Sequence, residues 1–384
     1  MQTPTAPPVP RERIVDTLAC YVWSGVSVIL IGPPGIGKSS TAKAIAGSFG
    51  WKYSRKGIPG MTDPVLFMGL PGQNEQNTLL KPFPWLQVLI DETAQRRRNV
   101  LLLDDIGESS RTIQSFLLDV LGERVIGDHP LLLTSMIGTA NPIGGGLQVT
   151  PSMANRVGHL HFSVTTKEQA GLMIGDYPNP EIPKFDPNWE DRLPMARRLV
   201  AGFLQTTNDF NAPDLDGAEA QRIVGAYPSP RTWEYAARLL AAVDASSLKD
   251  RRADETRKLA LKSVVGDAAA NAFFNFLRYP DMPKPEDALR NPHGITDRKE
   301  LFAPDKPDRG YIFLNAMTRY AIQAGTVDAW KNAWCVLGIF AKKECATLCA
   351  AHALVLFKRR PEGAPQSLPE MEAFRDLLPS AEEA

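Results

Sequence analysis

The sequence predicts an α/β fold, a parallel sheet sandwiched by helices, followed by an all-helical region. Three observations carry that expectation. Residues 26–31, Val-Ser-Val-Ile-Leu-Ile, are an apolar run entering a Gly-rich loop, and residues 39–49, rich in Ala and Lys, leave the loop as a helix. Residues 100–103 are a second apolar run, ended by Asp104 and Asp105. Unbroken apolar strands belong to parallel sheets covered on both faces, and strands alternating with helices imply the same architecture. Beyond about residue 167 the strand signals fade and helical periodicity dominates.

In chain order, residues 11–23 read as a helix with Ile14, Leu18 and Val22 at four-residue spacing. After the strand at 26–31, the loop and the helix at 39–49, residues 51–53 form a short second strand. Residues 57–84 hold too many Gly and Pro for a long helix, and 77–83 fit a small hairpin or an ordered loop. A helix at 85–96 precedes the strand at 99–105. An amphipathic helix at 109–121 and a hairpin at 123–133, turning at Gly127-Asp128, come next. Strands at 135–140 and 159–164 complete the sheet. Proline-rich joints at 178–187 and 280–292 then divide the helical part.

A chain of 384 residues suggests two or three domains. Its 43% hydrophobic and 22% charged content is that of an ordinary globular protein. Lys plus Arg equals Asp plus Glu, 43 each. That balance gives no support to nucleic acid as the main partner, because counterion release needs clustered excess cations; a local basic patch stays open. No apolar stretch approaches bilayer length, so no membrane span is expected. Residues 1–10 lack the apolar segment of a secretory signal, and the expected location is the cytoplasm. Cys20, Cys335, Cys345 and Cys349 lack disulfide-framework spacing. The last three with His352 could gather zinc, but no Cys-x-x-Cys knuckle is present and they read as helix-packing residues.

The chemistry centres on Gly32-Pro33-Pro34-Gly35-Ile36-Gly37-Lys38-Ser39, with Ser40 just beyond. Strand, Gly-rich turn and helix N-terminus together cradle an anion through inward N–H groups and the helix dipole. Lys38 would reach the β- and γ-phosphates, and the Ser39 hydroxyl would ligate Mg²⁺. The chain is therefore expected to bind a nucleoside triphosphate, ATP with Mg²⁺. Asp104, ending its apolar strand, would hold the Mg²⁺ shell, and Asp105 would face the attacking water as base or water-orienter.

At this point the chain resembles the AAA+ ATPases, specifically the MoxR-like branch, from about residue 11 to 357. Thr139-Ala140-Asn141-Pro142 is similar to the family's sensor 1, which implies that Asn141 positions the lytic water. Ala154-Asn155-Arg156-Val157 resembles the arginine-finger segment, and Pro228-Ser229-Pro230-Arg231-Thr232-Trp233 resembles sensor 2, with Arg231 touching the phosphates from a helical lid. Residues 62–71 are similar to a stretch that follows the second strand in MoxR-like proteins. The domains implied are a flexible N-terminus at 1–10, an AAA+ core at 11–170, a lid at 171–280 and a helical extension at 281–384. Tyr311, Phe313, Trp330 and Trp334 would anchor that extension, and the tail from Pro361 would fray.

An arginine finger acts on a neighbour's nucleotide, so the contact is head-to-tail and closes into a ring; the resemblance implies a hexamer. It also implies ATP-driven remodelling of a partner protein bearing a von Willebrand factor A domain. One departure matters: the family usually has Asp-Glu where this chain has Asp104-Asp105. The carboxylate of Asp105 sits about 1.5 Å further from the same water, and a misplacement of about 1 Å can cost roughly a hundredfold in rate. Two rivals remain open. One is a DNA-directed motor or nuclease-activating subunit of a defence system; the other is a nucleotide-gated scaffold with little turnover.

Overall fold

The structure, a computed structural model, describes residues 9–378 apart from 60, 62, 74–77, 143–149, 206–209, 211–224, 280–281, 304–306 and 344. Most of the expected flexible N-terminus thus lies outside the described residues. Helix α1 (Arg11–Ser24) leads to strand β1 (Val28–Ile31), helix α2 (Lys38–Ser48) and strand β2 (Lys52–Gly57). Helix α3 (Val65–Met68), the hairpin β3 (Leu70–Gln73) and β4 (Thr78–Lys81), and helix α4 (Pro84–Ala94) follow. Then come β5 (Asn99–Asp104), α5 (Arg111–Glu123), the hairpin β6 (Val125–Ile126) and β7 (His129–Pro130), and β8 (Thr134–Ala140). Helix α6 (Pro151–Ala154), strand β9 (Gly158–His161) and helix α7 (Thr166–Ile174) end this layer.

The five long strands form one sheet in the order β2-β5-β8-β1-β9, every neighbour parallel. Its central strands β1, β5 and β8 are buried along their whole length, as strands covered on both faces are, and β8 carries the polar Thr134, Ser135 and Thr139 into that interior. Helix α5 lays Ile113, Leu117, Val120 and Leu121 into the core with Leu101, Leu103 and Met136. Each such side chain contributes roughly 1.5–3 kcal/mol by leaving water. Strand β2 is longer than its apolar residues suggest. As an edge strand of mixed polarity it pairs with β5 from Lys52↔Asn99 to Gly57↔Asp104, and the backbone ladder, not side-chain burial, sets its length.

The chain divides into two compact units, Met1–Phe273 and Phe274–Ala384. The first also holds α8 (Leu193–Leu204), α9 (Pro230–Asp244) and most of α10 (Asp250–Arg278). Trp233 of α9 packs against Phe203 and Phe273 at 5.4 and 5.9 Å between ring centroids. Gly266 interrupts α10 at φ 81°, where a Cβ would stand 2.8 Å from the Ala226 carbonyl oxygen.

The second unit contains α11 (Pro285–Arg290), α12 (Pro307–Ala324), α13 (Val327–Lys342) and α14 (Ala346–Lys358). Phe313, Trp330 and Trp334 are fully buried in its core, as expected. Tyr311 is not: two residues from Phe313 on the same helix, it falls on another face and is 45% exposed. The tail also departs from expectation. Residues 369–377 form 3-10 turns that seat Met371 and Phe374 in the core, Phe374 lying 6.1 Å from Trp334. Among the described residues no cluster of three or more His, Cys, Asp or Glu is gathered to hold a metal, and no helix is long and apolar enough to cross a membrane.

Candidate nucleotide site

Parallel pairing brings three strand exits together at one edge of the sheet. Ile31 of β1 lies beside Ala140 of β8, and Leu103 of β5 beside Gly138. The loop after β1, the carboxylates after β5 and Asn141 after β8 therefore converge, at the edge where open α/β sheets take ligands. Glycine is required at two loop positions. A Cβ on Gly32 would stand 2.2 Å from the Phe162 carbonyl oxygen, and Gly37 begins α2 at φ 93°.

Lys38 is buried and folds back over the loop. Its Nζ donates to the carbonyls of Gly32 (2.6 Å) and Pro33 (2.9 Å) and to Asn141 Oδ1 (2.9 Å). Burial pulls its pKa below the usual lysine value, against the opposing pull of the Asp105 and Asp104 charges. Ser39 Oγ donates to Asp104 Oδ1 at 3.2 Å. The same oxygen accepts from Thr139 Oγ1 at 2.6 Å, and Thr139 Oγ1 in turn accepts the Asp105 N–H at 2.9 Å. Arg55 of β2 grips the other oxygen, with Nε 2.7 Å from Asp104 Oδ2 and Nη2 on the same atom. Burial raises the Asp104 carboxyl, but hydrogen bonds from Thr139, Arg55 and Ser39 with the Arg55 charge outweigh it and hold it below the ordinary value. Asn141 Nδ2 donates to Asp105 Oδ1 at 3.2 Å, so its amide bridges Lys38 and Asp105.

The structure thus brings Lys38, Ser39, Asp104, Asp105 and Asn141 into one cluster around the loop. Asp104 and Ser39 present hard oxygen donors of the kind Mg²⁺ takes, and would hold it. Sequence reasoning missed Arg55 and the bridging role of Thr139. Arg55 lies beyond the short strand expected at 51–53, and its place beside Asp104 comes from the register of β2 on β5, Gly57 facing Asp104.

Arg156 and Arg231 lie elsewhere. Arg156 precedes Gly158, which pairs with Val28 where β1 enters the sheet, while the loop leaves at Ile31. Four strand residues separate those ends by roughly 10 Å. Arg156 lies along Gly122 at the end of α5, its Nη1 3.4 Å from the Ser152 carbonyl and its Nε buried with no hydrogen-bond partner. Arg231, expected to touch the phosphates from the lid, stands at the start of α9, which is held on the Arg156 side. Ser229 Oγ donates to Asn155 Oδ1 at 2.5 Å and the Tyr227 hydroxyl donates to the Pro151 carbonyl at 3.0 Å. These bonds tie the start of α9 to the Arg156 side. Burial raises the Tyr227 hydroxyl, and the charges of Arg231 and Arg156 both pull it back, so the two guanidiniums share that neighbourhood.

Beside the loop helix lies a cavity of about 290 Å³ lined by Arg11, Glu12, Val15, Glu168, Leu172 and Pro180, among others. Arg11 joins it to α2, Nη2 standing 3.4 Å from Thr41 Oγ1, and its backbone N–H donates to Glu168 Oε1 at 2.8 Å.

Residues 28–141 match the model of the ATPase family associated with various cellular activities (AAA). Lon protease 1 of Hydrogenovibrio crunogenus is 32% identical over 132 residues, 32% of this chain and 16% of that protein. The Lon protease of Rhizobium meliloti is 33% identical over 176 residues, 41% of this chain and 21% of that one. The chain therefore spans about a fifth of the length of these relatives. A solved structure of a candidate ATPase from Cytophaga hutchinsonii is 17% identical, with a TM-score of 0.43 over 67% of this chain and 82% of that chain.

Proposed function

We propose that this chain, whose residues 28–141 form an AAA ATPase domain, hydrolyses ATP in a ring to remodel a partner protein. The observation that carries the reading is the convergence of Lys38, Ser39, Asp104, Asp105 and Asn141 on one loop. Loop N–H groups and the N-terminus of α2 hold the phosphates, and Lys38 exchanges the carbonyls of Gly32 and Pro33 for phosphate oxygens. Ser39 and Asp104 would hold Mg²⁺, which when bound would supply positive charge beside the phosphoryl oxygens. Asp105 and Asn141, already hydrogen-bonded to each other, orient the attacking water. The cavity beside Thr41 takes the base.

Arg156 and Arg231 serve a neighbouring protomer. Both guanidiniums neighbour Tyr227, and Arg156 precedes the strand that pairs with the end of β1 remote from the loop. Charge complementarity to a second copy's triphosphate gives the head-to-tail contact from which rings are built. The hexamer, the MoxR-like branch and a von Willebrand factor A client rest on the sequence resemblance alone. A second reading, a nucleotide-gated scaffold with little turnover, is favoured by the short Asp105 side chain engaged by Asn141.

ATP turnover of the wild type against Asp105→Asn and Arg156→Ala tests the enzyme reading. Both variants should lose at least tenfold in rate while still binding nucleotide. Assembly with ATP but equal, negligible turnover in all three would establish the scaffold instead.

A further inference from the structure

Arg55 has no part in the reaction proposed above, yet it grips the carboxylate on which that reaction depends. Strand β2 runs parallel to β5 with Gly57 beside Asp104, so Arg55 extends along the strand direction from two residues earlier. Both N–H groups fall on Asp104 Oδ2, Nε at 2.7 Å, while Oδ1 is taken by Thr139 and Ser39. Every oxygen of the carboxylate is then satisfied by a donor from the protein. We propose that Arg55 competes with Mg²⁺ for the charge of the Asp104 carboxylate, Arg55 holding Oδ2 while Ser39 faces Oδ1, and so sets the metal concentration at which the nucleotide site loads. This rests on the ATPase reading of the same site.

The physical case has two sides. Asp104 is 6% exposed and has Asp105 as its neighbour, so without a counter-ion its charge is costly to bury. Arg55 supplies that counter-ion from an edge strand. Its own side chain is 61% exposed, against 9% for that of Asp104, so the guanidinium can leave for solvent once another cation neutralises the carboxylate. A divalent cation on the Oδ1 side and a guanidinium on Oδ2 of one carboxylate repel each other at close range. Metal entry therefore releases Arg55, and Arg55 resists metal entry.

The test is binding of a fluorescent ATP analogue to the full chain, titrated with Mg²⁺, for the wild type, Arg55→Ala and Arg55→Gln. Removing a charge-assisted, two-pronged hydrogen bond should lower the half-saturating Mg²⁺ about tenfold in both variants, with no gain in affinity in EDTA. Arg55→Gln keeps a donor without the charge and covers the case in which Arg55→Ala melts early. An unchanged or raised midpoint in a folded variant overturns the proposal. If the wild type binds no analogue at any Mg²⁺ concentration, the ATPase reading falls and this inference with it; binding with an unmoved midpoint sinks the inference alone.

Discussion

Under the proposed hydrolysis, the length of the Asp105 side chain is the feature most open to test. Asp105→Glu lengthens the side chain by about 1.5 Å and should raise ATP turnover on the order of tenfold or more, measured by phosphate release; a fall would show that the site is built around the shorter acid. His159 gives a separate handle on stability. Its Nε2 donates to the Ala154 carbonyl at 3.1 Å and its Nδ1 is buried without a partner. Burial therefore pushes its pKa down to about 4, helped by His161 and only partly opposed by the Ala154 bond. The folded state keeps this ring neutral while the unfolded chain protonates near pH 6.5. Its contribution is whole above that pH and is lost as pH falls towards 4, on the order of 3 kcal/mol across the window. Urea midpoints of His159→Leu should lack that segment of the acid slope. Lys38, Ser39, Asp104, Asp105 and Asn141 were legible in the sequence because each abuts a Gly-rich turn or ends an apolar strand. Arg55 was not, because which strand neighbour it meets depends on register, and register is not written in a polar edge strand.

The elements carry a second set of consequences. Helix α1 ends against three guanidiniums: Arg98 donates to the Trp23 carbonyl at 2.8 Å, Arg238 to that of Ser24 at 2.7 Å, and Arg124 to that of Gly25. Cations suit a helix C-terminus, and Arg238 comes from α9, so this cap fastens α9 to the α/β layer. Ser229 fastens its start, through a capping box with Thr232 and the bond to Asn155. Ser229→Ala should lower stability by about 1–2 kcal/mol, read from a denaturant midpoint, and loosen Arg231 with it; no change would show that the cap does not hold the helix. Gly266→Ala should cost about 1–3 kcal/mol, because φ 81° is strained for an L side chain and the Ala226 carbonyl blocks the Cβ. An unaltered melting curve would contradict that. The long strands and the helices around them were legible because period and burial agree. The docked 369–377 turns and the exposed Tyr311 were not, since a tail rich in Pro and Glu carries its apolar anchors, Met371 and Phe374, too sparsely to announce a packed face.

For the molecule as a whole the central claim is a division of labour between copies: one protomer grips the triphosphate and the next completes it with Arg156 and Arg231. The sheet places the loop and the residues just after Arg156 at opposite ends of β1. Mixing Asp105→Asn protein with Arg156→Ala protein tests this most directly. Each alone should be nearly inactive. In a random ring, about one contact in four joins an intact loop to an intact finger, so the mixture should recover about a quarter of wild-type ATP turnover. A mixture as inactive as its parents would contradict the account.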